Sequence, residues 1–325
     1  MLIAIDTGHG YCKGMGPRGS RWSAPSWLVP DTGDGMVASM EFLGTPRPIT
    51  VAWNGAAPRS YWWGSDARRG ARVILAPDKG HTPRTWDLTL ISGVLTVQSA
   101  GDDPAREPWD LAIGVPLGWY SSQKDALAEA LRGQGQVMGV PVTVRQVAVF
   151  PQGMAAVLAN APPDRPGLYG VIDIGYGTTE YLIVEVQPGG RVRVTADPAG
   201  TWEMGMRTIS QRVANRVVQQ TGVMVDPEDV DHVDTLTIRG EDLDLRDWRQ
   251  DAVRWWQLVL QDHLDAVWHH TLPRMAACWV VGGGADALSG VTVNGMPLTI
   301  LPDARWANVT GYWNAMSRRV EAGGL

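Results

Sequence analysis

The chain has 325 residues, 44% of them hydrophobic, and a formal net charge of -6. That length exceeds what one core usually serves, so two domains are expected. The acidic balance argues against direct DNA or RNA binding through phosphate neutralisation, and no apolar run approaches the roughly 18 residues of a membrane span. Cys12 and Cys278 are the only cysteines, which excludes a disulfide scaffold and a cysteine metal cluster. The N-terminus lacks a basic region, apolar stretch and cleavage site, so the expected location is cytoplasmic. Sixteen Trp stand against two Phe. The expectation is Trp in core and sheet positions, with a contact surface as the alternative.

In chain order, Leu2 to Ile5 reads as a buried strand that meets Asp6, followed by Gly8, Gly10, Lys13 and Gly14. Residues 15–70 are rich in Gly, Pro, Ser and Trp, with a strand-like piece at 49–53 and another at 72–75. Residues 85–99 predict a buried helix and 109–116 a strand ended by proline. Ser121 or Ser122 is the expected cap of a helix over 123–132. A β-rich run at 142–150 precedes a helical segment from Gln152, and the Pro/Gly-rich stretch 161–167 reads as a domain break.

The second half repeats the outline. Residues 168–186 read as strand, Asp-x-Gly-x-Gly turn and strand, and 191–196 as a third β segment. Gly205 opens a helix with Met206, Ile209, Val213 and Val217 on one face. A longer amphipathic helix is expected over 244–270. Residues 277–288 read as strand, glycine turn and helix, 297–301 as a last strand, and 308–320 as a closing helix. Two α/β halves of similar plan follow, each opening with an aspartate on a glycine turn.

Three turns carry candidate chemistry. In Asp6–Gly14, glycines free backbone N–H groups to close on an anion, Lys13 offers a point charge, and Asp6 could hold Mg²⁺ through water. In Asp173–Thr179, Gly175 and Gly177 repeat the arrangement, and the hydroxyls and amides of Thr178 and Thr179 are phosphate donors. Gly282, Gly283 and Gly284 precede Ala285 and let a flat ligand approach the backbone. Taken singly, each also fits a plain hairpin or packing turn.

Together, the two Asp-x-Gly hairpins and the late Gly-Gly-Gly resemble the actin-type ATPase superfamily. The resemblance implies an α/β, two-domain, actin-like (ribonuclease H-like) fold. Mixed five-stranded sheets would be flanked by helices, with the nucleotide in the interdomain cleft. It implies domain I at 1–160, with a small subdomain at about 15–80 and completion by 306–325, and domain II at 161–305. Thr7, Gly8, His9, Gly10, Tyr11 and Lys13 would form the first phosphate loop. Gly175, Tyr176, Gly177, Thr178 and Thr179 would form the second, and Gly205 with Gly282–Ala285 would lie toward the nucleoside. Asp6 and Asp173 would serve the metal and catalysis.

Gln152 after Pro151 resembles the water-orienting residue of plasmid-segregating, ParM-type bacterial actins, while helix capping by Gln152 is the structural alternative. The ParM resemblance implies ATP, with GTP as a second possibility, and Mg²⁺. It also implies head-to-tail self-assembly and a DNA-binding adaptor protein as partner, with no direct nucleic-acid or membrane binding. A small-molecule kinase on the same core is the rival, with Asp87 and Asp110 as its candidate carboxylates. A structural or regulatory protein whose turns only build hairpins is the third.

Overall fold

The computed structural model describes residues 1–31, 48–64, 82–154, 157, 165–189 and 191–321, without the side chains of 196 and 197. The expected strand at 72–75, most of the helical segment after Gln152, and the first part of the 161–167 break lie outside the described residues. The chain divides into two units, Met1–Ala159 with Asn308–Leu325, and Asn160–Ala307.

The first unit begins with β1 (Leu2–Thr7), β2 (Tyr11–Met15), β3 (Arg21–Pro25), β4 (Leu28–Pro30), β5 (Ile49–Trp53) and β6 (Arg59–Trp63). Then come α1 (Pro83–Ser99), β7 (Trp109–Val115), α2 (Leu117–Leu131), β8 (Gly133–Val137) and β9 (Val140–Pro151). They form one sheet in the order β3-β2-β1-β7-β9-β8-β5-β6-β4. β1 lies parallel to β7, and β7 to β9. Strands paired on both sides and covered on both faces need continuous apolar runs, which is why every residue of β7 is buried.

Helix α1 is buried along most of its length despite its threonines. Thr89 and Thr96 donate to the carbonyls of Thr85 and Ser92 at 3.0 and 2.6 Å, so burial leaves neither hydroxyl unpaired. Thr96 also explains Gly14: a Cβ there would overlap the Thr96 hydroxyl. That glycine serves packing of α1 on β2.

Helix α2 starts at Leu117, six residues before the expected start. Pro116 sets the entry, and Ser122 donates back to the Trp119 carbonyl at 3.1 Å from inside the helix. Its hydroxyl is engaged in the preceding turn and caps nothing. Strand β8 has no sequence signature, being Gly-Gln-Gly-Gln-Val, and forms because β5 and β9 pair with it on either side. Met138 and Gly139 both take positive φ, the geometry of a tight hairpin turn between β8 and β9.

The second unit comprises β10 (Gly167–Ile174), β11 (Thr179–Val186), β12 (Val192–Trp202), α3 (Met206–Thr221) and the short α4 (Pro227–Val230). After these come β13 (Thr235–Ile238), β14 (Glu241–Asp244), α5 (Arg246–Trp268), β15 (Met275–Val281), β16 (Thr292–Val293) and β17 (Met296–Ile300). The main sheet runs β12-β11-β10-β15-β17-β16, and β13 pairs with β14 alone. Helix α5 buries Ala252, Trp256, Leu260, Leu264 and Trp268, a stripe at spacings of four, and leaves Trp248 and Val267 half-buried. The α-helix expected after the glycine turn is only a 3-10 turn, Ala285–Leu288.

The two units share a five-strand plan. Three antiparallel strands are followed by two parallel additions, β3-β2-β1-β7-β9 in one and β12-β11-β10-β15-β17 in the other. The expected five-stranded mixed sheets are these cores. Short hairpin strands extend each one.

The closing helix α6 (Ala307–Glu321) returns to the first unit. There Tyr312 stacks on Phe150 at 5.7 Å, and the Asn308 side chain accepts from Gly153 N–H at 2.9 Å. None of the sixteen Trp is among the exposed large apolar residues. Trp109, Trp256 and Trp268 are fully buried, in line with the core reading.

Candidate functional site

The β1–β2 turn places Asp6 and Lys13 directly opposite each other across the two strands. Cross-strand partners share a face, so the two side chains meet. Lys13 Nζ lies 3.2 Å from Asp6 Oδ2, with both residues buried. Gln152, just past β9, donates from Nε2 to Asp6 Oδ1 at 3.0 Å, and its backbone N–H binds the Val115 carbonyl at 2.8 Å.

One carboxylate therefore fixes both a cation and a carboxamide. Because an ionised carboxylate only accepts, Gln152 must turn its nitrogen toward Asp6 and its oxygen away. The side chain is thus spent on Asp6 rather than on helix capping.

Thr7 ends β1, Gly8, His9 and Gly10 form the turn, and Tyr11 opens β2 with 39% exposure. Ser26 anchors this turn, its hydroxyl donating to the Gly8 carbonyl at 2.6 Å and its N–H to the Gly10 carbonyl at 3.0 Å. Ser26 was not expected; it belongs to a segment without periodicity.

In the second unit, Asp173 and Glu180 are the corresponding cross-strand pair of β10 and β11. Both are buried, at 3% and 2% exposure. Thr178 Oγ1 donates to Glu180 Oε1 at 2.7 Å, and Thr179 Oγ1 to the Met204 carbonyl at 2.8 Å. Each hydroxyl has one proton, and here that proton goes to a protein acceptor. The backbone N–H groups are what the turn can still offer an anion.

Positive φ is not what the hairpin glycines supply: Gly8, Gly10, Gly175 and Gly177 are absent from the positive-φ glycines. Close approach matters instead at Gly205. A Cβ there would sit 2.6 Å from the carbonyls of Gly175 and Tyr176, which accept from the N–H groups of Met206 and Arg207. Gly205 thereby docks the N-terminus of α3 under the turn. Burial first, then the nearby Asp231 and Glu228 carboxylates, push the Tyr176 phenol well above its ordinary value. It stays protonated.

The third turn follows β15. Gly282 has φ +92°, and a Cβ on it would also collide with the Ile174 carbonyl and with Asp173 Oδ1. Gly284 donates to the Ile174 carbonyl at 3.0 Å. Gly282 and Gly284 are buried with Ala285, while Gly283 is exposed and has open space beside it. The structure therefore gathers Asp173, the second turn, Gly205 and the third turn in one unit, and Asp6, Lys13 and Gln152 in the other. Among the described residues no cluster of three or more His, Cys, Asp or Glu side chains could hold a metal by itself.

The rival kinase carboxylates are engaged elsewhere. Asp87 takes both bonds of an Arg59 fork at 2.6 Å and one from Tyr61 at 2.7 Å. Asp110 is bound by Arg145 at 3.0 and 2.6 Å and by Gln146 at 2.8 Å. These are ion pairs that tie strands and helices together.

Comparison with known proteins agrees with this plan. Residues 4–154 match the family model "Actin like proteins N terminal domain", and residues 171–291 match "Archaeal actin homologue MreB-like, C-terminal". The chain belongs to the actin-like proteins. Its fold is that of the ParM-type and archaeal actin homologues.

A 15-stranded ParM filament from Clostridium botulinum superposes with TM-score 0.77 at 18% identity, covering 98% of this chain and 99% of that one. An archaeal actin homolog in complex with ADP gives TM-score 0.76 at 18% identity over 98% and 99% of the two chains. The actin-like protein Alp7A gives 0.72 at 12% identity over 99% and 97%. No curated protein matches the chain by sequence. No helix among the described residues is long and apolar enough to cross a membrane.

Proposed function

We propose that the protein is a cytoplasmic, filament-forming ATPase of the plasmid-segregation type. The observation that carries this reading is the pair of like-built hairpins, one per unit, each with a buried aspartate at its strand end and facing residue Lys13 or Glu180. In this reading the turns bind ATP, or GTP in its place. Lys13 and the backbone N–H groups of the first turn bind phosphate oxygens, and the second turn adds its own N–H groups. Gly283, open and exposed, faces the nucleoside.

The residues fit Mg²⁺. Asp173 is a buried oxygen donor, and Glu180 opposite it with the Thr178 hydroxyl keeps its surroundings oxygen-only, as a hard cation requires. Asp6, whose oxygens already accept from Lys13 and Gln152, fits as an acceptor for the ion's waters. When bound, the ion neutralises charge on the phosphates. With its nitrogen on Asp6, Gln152 keeps its carbonyl oxygen as an acceptor. Glutamine is a poor base, so its part is to orient the attacking water.

Two ParM-type and archaeal relatives support the partners. One was solved as a filament and the other with ADP. A head-to-tail contact between copies does not close on itself and extends into an open strand. Attachment to plasmid DNA would pass through an adaptor, in keeping with the net charge of -6.

Electron microscopy of the purified protein with ATP and Mg²⁺, beside a phosphate-release assay, tests this. Filaments that form with ATP and shorten as phosphate is released are the expected result. Particles that remain monomeric in ATP, ADP and a non-hydrolysable analogue overturn it. Turnover that appears only with a small-molecule acceptor, without polymer, would assign a kinase instead.

A further inference from the structure

The two hairpins place opposite charges across from their aspartates. Lys13 faces Asp6, and Glu180 faces Asp173. A buried carboxylate directly opposite another is unfavourable by itself, because like charges across a strand pair repel. Glu180 does one thing that a neutral residue could not do as well. It accepts the Thr178 hydroxyl proton at 2.7 Å, with Thr178 7% exposed and Glu180 2% exposed.

That bond sets the polarity of Thr178. A hydroxyl has one proton and two lone pairs, so Thr178 Oγ1 has only lone pairs left to offer. A phosphate oxygen is also an acceptor, and two acceptors do not bond. What Oγ1 can meet is a donor: a water, above all one polarised by a divalent cation. Thr179 also spends its proton, on the Met204 carbonyl at 2.8 Å, but it is fully buried at 0% exposure and its lone pairs are closed to a hydrated ion.

We propose that Glu180 is a positioning residue that makes Thr178 Oγ1 an obligate acceptor for the water shell of the bound divalent cation, so that the second turn recognises the hydrated ion as well as the phosphate. The proposal rests on the ATPase reading above and adds a residue and a role to it. In the first turn the corresponding position is a lysine, and the chemistry there is anion binding. The two turns then differ in what they offer: the first supplies a cation, and the second supplies aligned lone pairs.

The experiment uses the full chain with a fluorescent non-hydrolysable ATP analogue and Mn²⁺ as the probe ion. Mn²⁺ affinity is followed by electron paramagnetic resonance, and nucleotide binding is followed in the same samples. Thr178→Val and Glu180→Gln are each expected to weaken Mn²⁺ about tenfold, the effect of one hydrogen bond to a charged centre. The double variant should lose no more than either single one, because Glu180 acts through Thr178. Thr178→Ser, which keeps the hydroxyl, should bind Mn²⁺ as the unaltered protein does.

Losses that multiply in the double variant, or single variants with unchanged Mn²⁺ affinity while the analogue still binds, overturn the proposal and leave the ATPase reading intact. Failure of the unaltered protein to bind the analogue overturns the ATPase reading and this proposal with it. If Glu180→Gln does not fold, the contrast between Thr178→Val and Thr178→Ser decides: equal Mn²⁺ affinity in the two overturns the proposal.

Discussion

The β1–β2 and β10–β11 hairpins are the same device with one sign changed. In each, an aspartate is the penultimate residue of the first strand, and the residue seven positions on returns opposite it. In the first the opposing residue is Lys13 and the pair is nearly neutral. In the second it is Glu180 and the pair is doubly acidic if both are ionised. Backbone geometry thus sets where two side chains meet, and residue choice sets which charge of a ligand they face. Neither property can be inferred from the glycines, which look alike in the two turns.

Removing the opposing residue should have unequal consequences in the two units. Lys13→Met leaves Asp6 buried with Gln152 as its remaining described donor. It should cost about 3–5 kcal/mol, the range for breaking a buried pair on one side. Glu180→Gln removes a like charge and should leave stability within about 1 kcal/mol. Urea unfolding followed by Trp fluorescence measures both. A Lys13→Met loss below that of Glu180→Gln would break the comparison.

The third turn sharpens it on a smaller scale. Gly282→Ala meets both a positive φ and a carbonyl in its path, and should cost about 2 kcal/mol or more. Gly283→Ala meets open space and should stay within about 0.5 kcal/mol. If Gly283 faces the nucleoside, its alanine variant will fold normally and still bind the ATP analogue more weakly. Equal affinity would remove it from the site.

The smallest effect is a pH dependence confined to the second unit. His263 on α5 stacks on Trp202 at 4.9 Å and meets the edge of Tyr181 at 5.1 Å. Burial lowers its pKa below the ordinary 6.5. The unfolded chain therefore takes up a proton before the folded one, and stability falls as pH drops below about 6.5 toward the folded value. Above that range the contribution is complete. His263→Phe should flatten this acid limb of stability, read from urea midpoints between pH 5 and 7. An unchanged slope would show that His263 is not its source.

Much of the architecture was legible because it is written in local pattern. The apolar run into Asp6, the repeat of Asp-x-Gly before Tyr181, and the four-residue stripe of α5 each report their element directly. Strand β8, the β13–β14 hairpin and the early start of α2 were not. β8 has no strand-forming composition and exists through its two neighbours, and Pro116 rather than a serine sets the entry to α2. In the site, Asp6, Lys13, Gln152, Asp173 and the glycine turns were legible as residue types on turns. Ser26 and Glu180 were missed, although the seven-residue spacing shared by Lys13 and Glu180 was available.

By itself the sequence determined which residues end the strands and which backbone turns lack side chains, because those follow from composition over a few positions. Tertiary structure decided the direction of each hydrogen bond. Gln152 gives its nitrogen to Asp6, and Thr178 gives its proton to Glu180. A donor or acceptor role is a property of a pair, and its partner comes from another strand.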